Sequence, residues 1–245
     1  MARETEQTRL VNELELTSLK LGVYEYCDPP QPDESGYYAP LRTHFGRLIR
    51  DYSSGNTIKR YLIEMIHHSI GNFDIVAAVS LSGTAPATSV RDYFHKDLII
   101  VRTRPKYSGN PIEGLLPGER LDGKKVIVID DRLETGQGTA LATQMVRDLG
   151  GIVDHSIAIY DNNLDIAEQI FSGKADFKNG KRLEKPISSH SILSHRNMVK
   201  FAQREAAYLD ADLVPFIGER LKVLEEWHSD PFNWGENHGY PRKIR

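Results

Sequence analysis

Residues 125–140, Lys-Val-Ile-Val-Ile-Asp-Asp-Arg-Leu-Glu-Thr-Gly-Gln-Gly-Thr-Ala, constrain the fold more than any other stretch of this chain. An unbroken run of apolar β-formers is the pattern of a strand buried on both faces of a parallel sheet. It runs straight into two carboxylates, Asp130 and Asp131. A loop with Thr135, Gly136, Gln137, Gly138 and Thr139 follows, and 141–149 then has the character of a helix. A strand that ends in acids and turns through glycines into a helix N-terminus builds two adjoining subsites. The turn and helix start point backbone N–H groups at a phosphate. The acids beside it suit sugar hydroxyls or a hydrated Mg²⁺ ion. A phosphorylated sugar satisfies both subsites at once. A solvated strand end with an ordinary helix cap would account for the acids or for the glycines, but not for their order.

The flanking sequence supports an alternating strand and helix architecture. Helices are predicted at 8–21, 57–70, 85–93 and 139–149, and strands at 75–79, 98–101, 125–129 and 152–160. The segment 27–36 carries three prolines and several acids, which predicts a loop. The implied fold is α/β, a doubly wound, mostly parallel sheet flanked by helices. Residues 102–122 are too long for an ordinary connection and hold Arg102, Arg104, Lys106, Ser108, Gly109, Asn110 and Gly114. A cationic, glycine-containing loop beside a phosphate site has the makings of a lid that closes over a polyanion; a solvated surface loop is the plainer alternative.

Composition excludes some functions. With a net charge of −3 and no basic segment, no nucleic-acid partner is expected. No apolar run reaches the length of a membrane span, and the opening residues lack a signal-peptide core, so no membrane association and a cytoplasmic location are expected. The lone cysteine, Cys27, offers no intrachain disulfide. Among nine histidines, His67 with His68 and His190 with His195 have no convincing zinc spacing; contacts at helix ends are the expectation for the latter two. Trp227 and Trp234 are expected to pack in the C-terminal segment or at an interface.

The order of an apolar run, Asp-Asp and Thr-Gly resembles the phosphoribosyl-diphosphate (PRPP) signature of type I phosphoribosyltransferases. Further segments resemble the orotate branch. Ser35-Gly36-Tyr37-Tyr38-Ala39-Pro40-Leu41-Arg42 is similar to that family's hood, Ser-Pro-Tyr-Tyr followed by Asp-x-Arg. Residues 73–84 resemble its diphosphate-binding strand and loop. Val101-Arg102-Thr103-Arg104-Pro105-Lys106-Tyr107-Ser108-Gly109 resembles its lid, Val-Arg-Lys-x-x-Lys-x-His-Gly, and Ile112-Glu113-Gly114 follows as in the family. Residues 190–199 and 230–234 are similar to closing helices of longer bacterial members. The chain departs from the pattern at Thr103 (a lysine in the family), Ser108 (a histidine), Arg132 (an apolar residue) and Glu134 (a threonine). The lysine that precedes the hood has no counterpart, and Gln137-Gly138 is open to reading as a longer phosphate turn. An acid at 134 is instead similar to purine-using relatives, where an aspartate faces the base.

The resemblance implies a type I phosphoribosyltransferase fold with three parts: an N-terminal helix and hood or base-side segment over 1–56, a PRPP-binding α/β core over 57–175, and 176–245 completing the core and adding a helical tail. It implies transfer of 5-phosphoribosyl from PRPP to a nucleobase, orotate first, with release of diphosphate. Ser80, Leu81, Ser82 and Gly83 would offer donors to diphosphate, joined by Arg102 and Lys106. Asp130 and Asp131 would hold the ribose hydroxyls directly or through Mg²⁺ and water, and residues 135–139 would cradle the 5-phosphate. Tyr37, Tyr38, Arg132 and Glu134 would face the base, with Lys106, Asp130, Asp131 and Glu134 as the catalytic set. The family also implies a homodimer that shares its lid across the interface. A purine-like base, or a PRPP- or nucleotide-binding regulator of the same fold, are the alternatives that the departures raise.

Overall fold

The computed structural model describes residues 6–32, 38–103, 111–178, 180–205 and 218–240. The chain divides into two compact units, one made of residues 56–195 and one of residues 1–55 with 196–245.

The first unit is built on a six-stranded sheet of order β5-β4-β3-β6-β7-β8. Its strands are β3 (Ile75–Val79), β4 (Asp97–Val101), β5 (Ile112–Glu113), β6 (Lys125–Leu133), β7 (Ile152–Asp161) and β8 (Ser188–Ser194). All pairs are parallel except β4 with β5. All five residues of β3 are buried, as expected of a central strand with both faces covered. On one face Ala77, Val79, Val128 and Ala158 pack with Ala140, Val146, Ile170 and Phe171. The latter four come from α5 (Gln137–Asp148) and α6 (Asp165–Phe171), while α4 (Thr84–Phe94) links β3 to β4.

The second unit contains α1 (Glu6–Lys20), the antiparallel pair β1 (Tyr24–Pro32) and β2 (Tyr38–Thr43), α2 (Gly46–Arg50), nearly all of α7 (His195–Glu205), α8 (Gly218–Ser229) and α9 (Trp234–Asn237). Ala39 packs with Trp227 and Trp234, so the two indoles are core residues of this unit. α3 (Tyr52–Met65) spans the division between the units.

Four local expectations are corrected. Residues 27–32 form a strand rather than a loop: among the described residues the sheet has two strands, which leaves each with an edge that prolines tolerate, and its register shifts between Tyr26 and Gln31, where prolines need no ladder donor. The helix expected over 57–70 begins at Tyr52, and its last turn, Ile66–Ile70, is a π-turn closed by Gly71 at φ +78°. β6 runs four residues past Ile129, because Asp130, Arg132 and Leu133 still pair with Ala158, Tyr160 and Asp161. His190 lies in β8 rather than in a closing helix. It sits 3.3 Å from the His155 ring, and burial together with that neighbour lowers its pKa. Among the described residues no helix is long and apolar enough to cross a membrane.

Candidate active site

The strand order places a topological switch between β3 and β6. From β3 the chain continues outward to β4, and after β5 it returns to the other side of β3 as β6. Ligands of doubly wound sheets sit where the carboxyl ends of such strands part. Here the turn 80–83 after β3 faces the acidic end of β6 and the turn that opens α5.

The turn after β3 is shaped by two residues. Ser80 takes a left-handed φ of +53°, uncommon outside glycine. Its N–H donates to Val101 O at 2.8 Å, and its carbonyl accepts from Thr84 Oγ1 at 3.3 Å. Its hydroxyl meets Thr103 Oγ1 at 3.0 Å. At Gly83 a Cβ would lie 2.5 Å from Ile129 O, so glycine alone lets the start of α4 sit against β6. The Gly83 N–H donates to Val79 O at 3.1 Å. Of the four backbone donors expected here, those of Ser80 and Gly83 are therefore engaged within the fold. Those of Leu81 and Ser82 have no acceptor among the described residues and are open to a ligand, on a tip where Leu81 is 84% exposed.

At the end of β6 the paired acids differ sharply. Asp130 is 8% exposed; its Oδ1 accepts the Asp131 N–H at 2.9 Å and its Oδ2 accepts from Thr139 Oγ1 at 3.2 Å. Burial, reinforced by the adjacent Asp131 charge, pushes its pKa well above the usual carboxylate range. Asp131 is only partly buried, so its carboxylate is the one able to meet a ligand or hydrated cation. Asp130 braces the strand end to the first turn of α5. As a hard oxygen donor with substrate oxygens and waters to fill the remaining positions, the Asp131 carboxylate fits a Mg²⁺ ion.

Beyond the acids, Arg132 Nη2 lies 3.3 Å from Glu134 Oε2, both side chains being about two-thirds buried. The chain then turns at Gly136, φ +76°, where a Cβ would meet Phe171 and Ala167 at 3.1–3.2 Å. α5 starts directly at Gln137, so Gln137 and Gly138 belong to its first turn and do not lengthen the loop. The first amides of a helix lack intrahelical acceptors and carry the positive end of its dipole. Residues 137–139 thus present the anion-binding end of α5, and Gly138 leaves that surface open, with only Val79 Cγ1 at 4.0 Å from where a Cβ would be.

A chain from Lactiplantibacillus plantarum, an orotate phosphoribosyltransferase, is 30% identical over 204 residues, which are 82% of this chain and 85% of that one. The chain belongs to the orotate phosphoribosyltransferase family. Among solved structures, the orotate phosphoribosyltransferase of Aeropyrum pernix superposes with a TM-score of 0.61 at 19% identity, over 78% of this chain and 98% of that one. That of Mycobacterium tuberculosis in complex with PRPP gives 0.55 at 20%, over 77% and 98%. Both likenesses carry the fold. No family model matches the chain.

Within this orotate phosphoribosyltransferase frame, the switch point brings together Ser80, Leu81, Ser82, Gly83, Asp130, Asp131, Arg132, Glu134 and residues 135–139. Arg102, just past β4, pairs its guanidinium with Glu113, the acid of the Ile-Glu-Gly motif. Tyr38 lies in β2 with its ring 5.3 Å from Tyr240, inside its own unit. Tyr37, Arg104, Lys106 and Ser108 fall outside the described residues. Sequence reasoning missed three partnerships: Thr139 with Asp130, Thr103 with Ser80, and Glu113 with Arg102. Each joins segments that no local pattern connects.

Proposed function

We infer that this chain transfers the 5-phosphoribosyl group of PRPP to orotate, forming orotidine 5′-monophosphate and diphosphate, a step of pyrimidine nucleotide synthesis. The observation that carries this reading is the meeting of an acidic strand end, a helix N-terminus and a second turn at one switch point, in a chain of this family. In the reaction the bond from the anomeric carbon to the diphosphate oxygen breaks and a bond to a nitrogen of the base forms. Positive charge gathers on the ribose ring while the leaving group carries several negative charges. Catalysis then consists of holding both partners in line, neutralising the leaving group and excluding water.

In this reading the α5 N-terminus and Thr135 hold the 5-phosphate. Asp131 holds the ribose hydroxyls directly or through water, and Asp130 keeps Asp131 and α5 in register. The amides of Leu81 and Ser82 meet the diphosphate. Arg102 joins them on exchanging Glu113 for the ligand, and Lys106, four residues further along the chain, adds its charge. Mg²⁺, when bound, would supply charge neutralisation of the leaving group. Asp131 would be the residue that holds it, directly or through water. A homodimer that shares the segment 102–122 across its interface is part of the same proposal.

The acid at Glu134 would suit a purine-like base. The Arg132 guanidinium beside it offsets that charge, and this pairing favours the anionic orotate. The deciding experiment follows diphosphate release from PRPP and Mg²⁺ with orotate, adenine, hypoxanthine and uracil supplied singly. Release with orotate alone is expected. Release with a purine in preference to orotate overturns the assignment of the base, and release with no base, alongside tight PRPP binding, leaves a regulator.

A further inference from the structure

We propose that Thr103 is a positioning residue for the diphosphate turn, acting through Ser80. The proposal rests on the transferase reading of residues 80–83 given above, and it goes beyond that reading by assigning a role to a residue at which the chain departs from its family's lid pattern.

A serine in the left-handed region persists only where its surroundings over-determine it. Ser80 is fixed at three points: its N–H by Val101 O, its carbonyl by Thr84 Oγ1 and its hydroxyl by Thr103 Oγ1. The first two anchors come from strand β4 and from the start of α4. The third comes from the residue that follows Arg102, so one hydroxyl pair ties the turn after β3 to the chain leaving β4. The left-handed residue reverses the chain at the strand end, which sets the direction of the next two amides, Leu81 and Ser82. These are the two donors of the turn that no bond to the described residues engages. A change at Ser80 therefore redirects both amides at once, while the sheet beneath, with β3 buried throughout, stays in place. A lysine at 103 would give a mobile charge here; threonine gives a short, neutral tether.

Calorimetry of inorganic diphosphate with Mg²⁺, together with steady-state kinetics, tests this in the full chain. Thr103→Val, which keeps the shape and removes the hydroxyl, is expected to weaken diphosphate binding and raise the KM for PRPP about five- to tenfold, the scale of one hydrogen bond. The KM for orotate and the melting temperature should stay as in the wild type. Thr103→Ser should restore diphosphate affinity. Ser80→Ala should lose as much as Thr103→Val, since it removes the same bond. In a Ser80→Gly background, where glycine adopts the left-handed conformation without help, adding Thr103→Val should bring no further loss. A Thr103→Val protein with wild-type diphosphate affinity overturns the proposal. So does a loss that persists in the Ser80→Gly background, which would mean that Thr103 touches the diphosphate itself. A wild type that binds neither PRPP nor diphosphate overturns the transferase reading instead, so the two failures are distinct.

Discussion

Asp130 and Asp131 are adjacent in sequence, yet one is enclosed by hydrogen-bond donors and the other reaches the surface of the site. The Asp-Asp pair and its place at a strand end were legible in the sequence, because a carboxylate pair after an apolar run needs no tertiary information to be noticed. Which acid meets the ligand was not, since it depends on Thr139, nine residues on, folding back over Asp130. The difference predicts opposite balances of stability and function. Asp130→Asn replaces a carboxyl whose charged form burial disfavours and keeps an acceptor for the Asp131 amide, so its melting temperature should equal or exceed that of the wild type while turnover falls. Asp131→Asn should weaken Mg²⁺-dependent PRPP binding about tenfold or more with no change in melting. Calorimetry beside thermal melts checks both, and wild-type PRPP affinity in Asp131→Asn would count against the site. At the base side, Arg132→Ala removes the guanidinium that lies beside Glu134. The KM for orotate should rise several-fold, in keeping with a partly exposed ion pair, while the KM for PRPP moves less. Adding Glu134→Thr should recover much of the loss.

Elements differ in how plainly the sequence announces them. β3 and β4 carry apolar β-formers that place them to within a residue, and the helical pattern places α5 to within two. β8 is Ser-Ser-His-Ser-Ile-Leu-Ser, which has no apolar run, and it is a strand only because β7 offers it a ladder. The helix α1 was legible from its leucines, but its most consequential residue was not. Glu15 is 2% exposed, one of its oxygens has no hydrogen-bond partner among the described residues, and burial raises its pKa to about 7 against the pull of Arg204. Because the folded state holds this proton more tightly than the unfolded chain, stability from Glu15 is greatest below about pH 4.5 and is lost as pH rises toward 7. The loss is on the order of 3 kcal/mol at ~1.4 kcal/mol per unit. Over pH 5 to 8 the melting temperature should fall, and Glu15→Gln should flatten that fall and melt higher than the wild type at pH 8. A Glu15→Gln protein with an unchanged pH profile would place the titrating group elsewhere.

At the scale of the whole molecule, the residues assigned to PRPP, 80–83 and 130–139, all belong to the unit 56–195, although some fifty residues of chain separate them. The sequence supplied the pieces of this site but not their meeting. The motif after β6 was readable alone, whereas the turn after β3 acquires its meaning from the crossover that makes β3 and β6 neighbours. A ligand bridging the two turns should therefore stabilise the unit that contains both. At a PRPP concentration a hundred times its dissociation constant, linkage adds about 2.7 kcal/mol. For a chain of this size that corresponds to a rise of roughly 5–10 °C in melting temperature. Hydrogen exchange locates the effect: with PRPP and Mg²⁺, amides in 79–83 and 131–140 should gain protection, whereas those of α1 and β1 should change little. Protection confined to 131–140 would mean that the turn after β3 takes no part in holding PRPP, and the diphosphate would then have to be bound elsewhere on the chain.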